Sequence, residues 1–423
     1  MESNSEWLTF KNRFGKAYAD AADESDHYNV FLANMNFIAL HSSQNYDVGL
    51  TRFSDRFPKE ISDQFPPMLE SRSNDSRPVE AGVRQPFRLS SGASVDWSTT
   101  NNPLGRSVVS DVKNQDQCGA CWAFTATEST ESSVAMNSGT LEELSVQELI
   151  DCDKNWDQGC VGGNPIFAYP YIISKGLASE FDYPYTGRSG KCVNSKIKSV
   201  SGITGFRTLR SNDESNLALA LLQTPVAVGV AGTSPSFLMY RGGVYNDPKC
   251  GTTLNHALLL TGFGTTRRGE DYWVAKNSWG DMWGERGYIR IARNKHPPGG
   301  VCGVAVAPTF AVGGFGGNSS SSDVVDLLLM LSGRPWLEFC LLGISSVCGM
   351  ILLLLCAKDC LRTRRIAEDR RTSNIHVEIP LVGRGIPETP NTSPAPAMGR
   401  QGALSAFNGA TRPQRTAYGS ADI

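Results

Sequence analysis

Along the first 60 residues apolar positions recur at helical spacing. Glu24, Phe31, Asn34 and Ile38 are seven, three and four apart, which sets the last three on one helical face. The alternating stretch Gly49-Leu-Thr51-Arg-Phe53-Ser-Asp55 then predicts a strand attached to this small helical domain. Residues 66–91, rich in Ser, Arg and Pro and without period, read as an exposed, cleavable linker. The main body starts near residue 91, and its first half is helical. One helix runs over 122–137 and is closed by Gly139, which puts Cys121 at a helix N-terminus. A short helix opens on a capping box, Ser145-x-x-Glu148. A third has Asn164 as N-cap, Pro165 in the first turn and Gly176 as its stop, with Pro170 inside it predicted to kink it. The second half turns to strand-like runs at 225–230, 256–264, 272–278 and 287–292, with Gly-rich turns between them. The pattern predicts an α+β body, a helical lobe beside a β-barrel-like lobe, with a site in the cleft between them.

Residues 311–322 have the composition of a flexible linker. After them, 337–357 is apolar apart from Glu338 at its edge, and at ~1.5 Å per residue it reaches roughly 31 Å, the thickness of a bilayer core. A buried core helix is the alternative, but no folded domain follows to bury it. Lys358, Arg362, Arg364, Arg365, Arg370 and Arg371 follow the segment, against Arg334 alone before it. The positive-inside rule then predicts a transmembrane helix with a cytosolic tail and a lumenal or extracellular body, endolysosomal or at the cell surface. The tail, 358–423, is expected to be disordered. Its length argues against a lipid-anchor signal, and Cys356 and Cys360 stand where palmitoylation is common. The sequons at Asn74 and Asn318 fall in linkers on the lumenal side. A chain of this topology should carry a secretory signal peptide. The start M-E-S-N-S-E-W has neither its basic region nor its apolar core, so either the N-terminus is incomplete or the span directs insertion.

Composition narrows the chemistry. A net charge of -2 implies no domain-sized basic surface and no nucleic-acid partner. Of eleven cysteines, seven lie in the main body: Cys118, Cys121, Cys152, Cys160, Cys192, Cys250 and Cys302. In an oxidising compartment six can pair and leave one thiol as a candidate nucleophile. The pair Cys118-x-x-Cys121 also admits a zinc or redox reading. Zinc lacks a second ligand pair at suitable spacing, and no parallel-sheet pattern precedes the motif as a redox fold requires. A thiol nucleophile needs a base, and the body offers two histidines. His296 sits in a polar turn. His256 opens an apolar strand, and twenty residues on Lys276-Asn277-Ser-Trp279-Gly supplies an amide to orient an imidazole and an indole to cover that contact.

These residues carry a family resemblance. Gln115-x-x-Cys118-Gly119-x-Cys121-Trp-Ala-Phe, Asn255-His256-Ala257, Lys276-Asn277-Ser-Trp279-Gly and Gly159-Cys160-x-Gly162-Gly163 together resemble a papain-like cysteine peptidase of the cathepsin L type, over roughly residues 7–310. The resemblance implies Cys121 as nucleophile, His256 as acid and base, Asn277 as its orienter, and Gln115 as oxyanion donor beside the Cys121 N–H. Gly163 would bind the substrate backbone, with Gly119, Gly162 and Trp279 also lining the site. The pocket for the P2 side chain would be formed by Pro165, Gly229, Leu254, Ala257 and Ala307, and would prefer Leu, Phe or Val over Arg. Implied disulfides are Cys118–Cys160, Cys152–Cys192 and Cys250–Cys302. No cofactor or metal is implied, and a monomer is expected.

Residues 7–62 resemble the family's inhibitory propeptide, with Tyr28 and Ser42 departing from its signature, followed by the cleavable linker at 63–90. The peptidase domain would then span 91–313, a linker 314–336, the membrane helix 337–357 and the tail 358–423. The expected function is a thiol endopeptidase made as an autoinhibited zymogen, acting on protein and peptide substrates through an acyl-enzyme. Two alternatives stand beside it: a tethered, inactive binding protein, and a peptide ligase using the same intermediate.

Overall fold

The computed structural model of the protein describes residues 2–41, 45–68, 93–197, 201–295 and 298–316. Helix α1 (Glu2–Phe14) meets α2 (Ala21–Leu40) through buried Trp7, Phe10 and Phe31, whose rings lie 4.9 to 5.5 Å apart. Asp20 caps α2 by accepting from the N–H groups of Ala22 and Asp23, both at 2.9 Å. Glu24 accepts from the Trp7 indole at 3.1 Å and from Lys11, tying the two helices together.

The strand expected at 49–55 is displaced. Strand β1 is Tyr46–Val48, and Thr51, Phe53, Ser54 and Asp55 form a buried turn instead. The reason is local competition by short polar side chains. Ser54 Oγ accepts from the Thr51 N–H at 2.9 Å, while buried Asp55 accepts from Tyr18 Oη at 2.8 Å and pairs with Lys16 at 2.5 Å. Helix α3 (Pro58–Gln64) closes this segment.

After the short β2 (Val95–Asp96), α4 (Cys121–Ser138) forms the centre of the molecule. All its positions from Cys121 to Ala135 are buried, and Gly139 ends it at φ 86°. Helix α5 (Val146–Cys152) and α6 (Pro165–Lys175) pack on it, with Trp122, Phe124, Leu149, Ile150, Tyr169 and Ile172 as the core of the helical lobe. The capping box is half-formed. Ser145 Oγ accepts from the Glu148 N–H at 3.0 Å, but the Glu148 carboxylate reaches Tyr171 Oη and the Ala178 N–H instead. Pro170 lies inside α6 on its exposed side.

The other lobe is a sheet. Strands β3 (Gly205–Thr208), β4 (Val226–Val230), β5 (Tyr240–Tyr245), β6 (His256–Thr265), β7 (Asp271–Lys276), β8 (Tyr288–Ala292) and β9 (Thr309–Val312) join β1 in the order β1-β5-β8-β7-β6-β4-β9-β3, with β2 on β6. Helix α7 (Glu214–Leu221) covers one face. The N-terminal segment is built into this lobe: β1 pairs antiparallel with β5, and Tyr46, Phe53, Ile61 and Phe65 belong to the same hydrophobic core as the sheet. Between α4 and the sheet lobe run two ion pairs, Lys276–Glu128 at 2.9 Å, fully buried, and Lys113–Glu131 at 2.7 Å.

Among the described residues no helix is long and apolar enough to cross a membrane. The expected span at 337–357, its basic flank, the tail, both sequons, Ser42 and His296 lie outside the described residues.

Candidate active site

Cys121 is the first residue of α4 and the one free cysteine among the described residues. Cys118 is bonded to Cys160, so the Cys-x-x-Cys pair does not close on itself; Cys152–Cys192 and Cys250–Cys302 are also bonded. Backbone N–H groups of Ala257, Trp122 and Cys121 itself face the Cys121 sulfur. His256 opens β6 and is wholly buried. Its Nε2 lies 2.8 Å from Asn277 Oδ1, which assigns the proton to Nε2 and leaves Nδ1 without a partner. Trp279 stacks on the imidazole at 4.5 Å and 26°. Asn277 is fixed in turn, its N–H donating to Gly287 O at 3.0 Å and its Oδ1 accepting also from the Ser278 N–H at 2.8 Å.

Gln115 is buried below Cys118. One of its amide N–H groups donates to Cys118 O at 2.7 Å, and its Oε1 accepts from Ser278 Oγ at 2.7 Å. A primary amide has two N–H donors, so the second stays available. Ser278, which fixes the Gln115 amide through its hydroxyl, is a site neighbour that sequence reasoning did not single out. The signal was present, because it lies inside Lys276-Asn277-Ser278-Trp279.

Residues 64–68 occupy the cleft. Gln64 Nε2 donates to Asp116 O at 2.7 Å, and a Cβ at Gly119 would stand 2.6 Å from Gln64 O, so only glycine admits the chain there. Phe65 stands edge-on to His256 and packs on Trp279. Pro66 covers Gly162, whose φ of 142° suits glycine. The Met68 N–H donates to Leu254 O at 2.8 Å, and its sulfur fills the space above Gly229. Beside it opens a cavity of about 560 Å³ lined by Met68, Ile166, Leu254, Val306, Ala307 and Pro308. Of the residues expected around P2, Leu254 and Ala307 line it and Pro165, Gly229 and Ala257 do not, though Asn164 and Ile166 beside Pro165 do; Ala257 pairs with Gly229 across β4 and β6.

This covering governs the electrostatics. Burial pushes the Cys121 thiol up to about 11 and the His256 imidazole down to about 4, so both are neutral near pH 7. The covered state therefore holds a thiol rather than a thiolate, although Cys121 stands at a helix N-terminus. Loss of solvent outweighs the helix dipole here, whose effect is limited to about 1–2 kcal/mol.

The family profile described as papain family cysteine protease matches residues 92–312, and that of the cathepsin propeptide inhibitor domain matches residues 7–61. A probable cysteine protease of Arabidopsis thaliana, RDL6, is 37% identical over 72% of this chain and 84% of that protein. Fruit bromelain of Ananas comosus is 34% identical over 75% of this chain and 88% of its own length. Among solved structures, a recombinant stem bromelain precursor superposes with a TM-score of 0.63 at 33% identity, over 74% of this chain and 99% of that one. Digestive procathepsin L 3 of Tenebrio molitor larval midgut gives 0.62 at 32%, over 73% and 99%.

Proposed function

Because the chain belongs to the papain family of cysteine proteases and is a cysteine endopeptidase made as a propeptide-inhibited zymogen, we propose that Cys121 is its nucleophile, His256 its acid and base, Asn277 the group that orients His256, and Gln115 an oxyanion donor. The observation that carries the reading is the 2.8 Å contact between His256 Nε2 and Asn277 Oδ1, with Nδ1 left free in a site that holds the free thiol.

Release of residues 64–68 readmits water and lifts the burial penalty on both groups. The Cys121 proton then passes to His256 Nδ1, and the imidazolium is stabilised by Asn277 Oδ1 accepting from Nε2–H. The thiolate attacks the peptide carbonyl. The resulting oxyanion is held by the Cys121 N–H and the second Gln115 N–H. His256 gives its proton to the leaving amine, a thioester remains on Cys121, and a water deprotonated by His256 hydrolyses it.

The substrate chain would lie where residues 64–68 now lie, against Gly119, Gly162 and Gly163, with its P2 side chain in the cavity lined by Leu254 and Ala307. The apolar walls of Ile166, Leu254, Val306 and Ala307, with Asn164 and threonines but no charged side chain beside them, support a preference for Leu, Phe or Val. Three disulfides require an oxidising compartment. The apolar stretch 337–357 with its basic flank supports a single membrane anchor on the endolysosomal or cell-surface membrane, and processing near Ser91–Ser94 would free the N-terminal segment. The test is Cys121→Ala: the protein should accumulate uncleaved and take no label from a thiol-reactive peptidyl probe. Peptidase activity retained by the purified variant would overturn the assignment.

A further inference from the structure

Directly under the Gly162–Gly163 segment two carboxyl groups meet with no donor between them. Asp153 caps the C-terminus of α5 and is 1% exposed; Asp157 follows four residues later and is 3% exposed. Each keeps one oxygen occupied. Asp153 Oδ1 faces the Asn155 N–H at 3.4 Å, and Asp157 Oδ1 accepts from the Asn164 N–H at 2.8 Å. The other two, Asp153 Oδ2 and Asp157 Oδ2, are buried without any hydrogen-bond donor, although the two side chains lie in hydrogen-bonding contact. Two buried carboxylates cannot bond one another, but a carboxylate and a carboxylic acid can, and a single proton satisfies both orphaned oxygens.

Lys154 is the one cation whose charge reaches Asp153, which it favours in the ionised form, but it donates no hydrogen bond to either carboxyl group. The Lys154 ammonium is turned to Ile150 O at 2.9 Å, the Tyr171 hydroxyl of α6 donates to Glu148, and α4 presents Trp122, whose indole donates to Gly159 O. Asp151 faces the other way, toward Tyr183 and Gly190. Burial raises both acids, Asp157 to about 8.

Asp157 also sets the loop above it. A Cβ at Gly163 would stand 2.4 Å from Asp157 Oδ1 and 2.7 Å from the Trp122 ring, and the Gln158 N–H donates to Gly162 O at 2.9 Å. We propose that Asp153 and Asp157 share one proton, and that Asp157, held by it, is a positioning residue for the Gly162–Gly163 segment that receives the substrate backbone. The proposal rests on the assignment of that segment as a substrate-binding strand. When the proton leaves, two like charges face each other in a dry site. Asp157 is driven toward water and takes with it the acceptor of the Asn164 N–H and the floor under Gly163.

The test follows KM and kcat separately from pH 5 to 9 on the acid-processed full-length protein, for wild type, Asp157→Asn and Asp153→Asn. In Asp157→Asn the amide N–H replaces the shared proton. Wild-type KM should rise at least fivefold above neutrality in a limb that kcat does not share, and Asp157→Asn should hold KM within twofold throughout. In parallel, the urea midpoint of Cys121→Ala zymogen should carry a limb that falls between pH 5 and 8.5 relative to the same zymogen with Asp157→Asn added. Absence of the stability limb overturns the shared proton. A stability limb with flat wild-type KM overturns the positioning role. Failure of the underlying reading has a different signature: peptide turnover by the wild type that Cys121→Ala does not abolish.

Discussion

Phe65 stands edge-on to His256, their ring centroids 5.3 Å apart and their planes at 81°, so that an aromatic edge from the propeptide closes the imidazole from solvent on the side Trp279 leaves open. The ring that fills the cleft also buries His256 and Cys121, which disfavours charge on both, so the inhibition is expected to be electrostatic as well as steric. Phe65→Ala should therefore loosen the propeptide. Deleting a buried aromatic side chain costs about 3–5 kcal/mol, and part of that appears as weaker inhibition. Self-processing followed by gel in a time course should be at least tenfold faster than wild type.

The depressed His256 makes the covered state sensitive to acid. Its folded pKa of about 4 lies below the ordinary value of 6.5, so between those values the covered state binds fewer protons than the released one. In Cys121→Ala protein, where no thiol exchanges its proton with the imidazole on release, this contribution to propeptide binding is present above pH 6.5 and is lost as pH falls toward 4, by at most about 1.4 kcal/mol per unit. Trypsin sensitivity of the N-terminal segment in Cys121→Ala protein should rise up to tenfold per pH unit across that window. Adding His256→Gln should flatten the response.

The thiol carries the opposite sign. Raised to about 11, Cys121 is protonated in the covered state at neutral pH. Alkylation of the intact zymogen should be slow at pH 7 and climb only in strong alkali. The processed enzyme should react fast from pH 5 to 8, where the imidazolium holds the thiolate. Mass spectrometry of carboxymethylated Cys121 measures both rates.

The oxyanion role proposed for Gln115 is tied to structure through Ser278. Gln115→Ala removes an oxyanion donor, which costs roughly 2.7–4 kcal/mol in the transition state, or about 10²–10³ in kcat. It also strips the acceptor from buried Ser278 Oγ, a stability loss of about 1–3 kcal/mol. Kinetics and a thermal midpoint on the same sample should show both, with KM little changed.

The P2 pocket should respond to one carboxylate. With Ala307 lining the cavity beside Leu254, a peptide library should show Leu, Phe or Val favoured. Ala307→Glu should shift the ratio of kcat/KM for Arg over Leu at least tenfold toward Arg. An unchanged ratio would place P2 elsewhere.

Much of this was legible in the chain because its signals are local. The Gly139 stop, the Asn164 cap with Pro165, and the apolar run from His256 each act within one turn or one strand, and the elements form there. Strands β3, β5 and β9 were not legible. Tyr240-Arg-Gly-Gly-Val-Tyr245 has little strand propensity, and β5 exists because β1 and β8 flank it. Residues 64–68 read as the start of a polar linker; only the folded cleft shows that Phe65 and Met68 are its contents. The Asp153–Asp157 contact was equally hidden, since two acids four apart ordinarily signify a solvated surface.

The pairing of Tyr46 with Gly243 joins positions about 200 residues apart in a chain made from its N-terminus. Strand β1 leaves the ribosome first and waits for β5, so the inhibitor docks only after most of the catalytic lobe has been synthesised. The same pairing has a price at the end of the zymogen's life. Processing strips β1 away and leaves the backbone of β5 as a bare sheet margin, open to strand addition by another chain and guarded chiefly by Arg241 and the poorly pairing Gly242 and Gly243. Maturation thus exchanges a sealed molecule for one whose colloidal behaviour depends on how well those three residues discourage company.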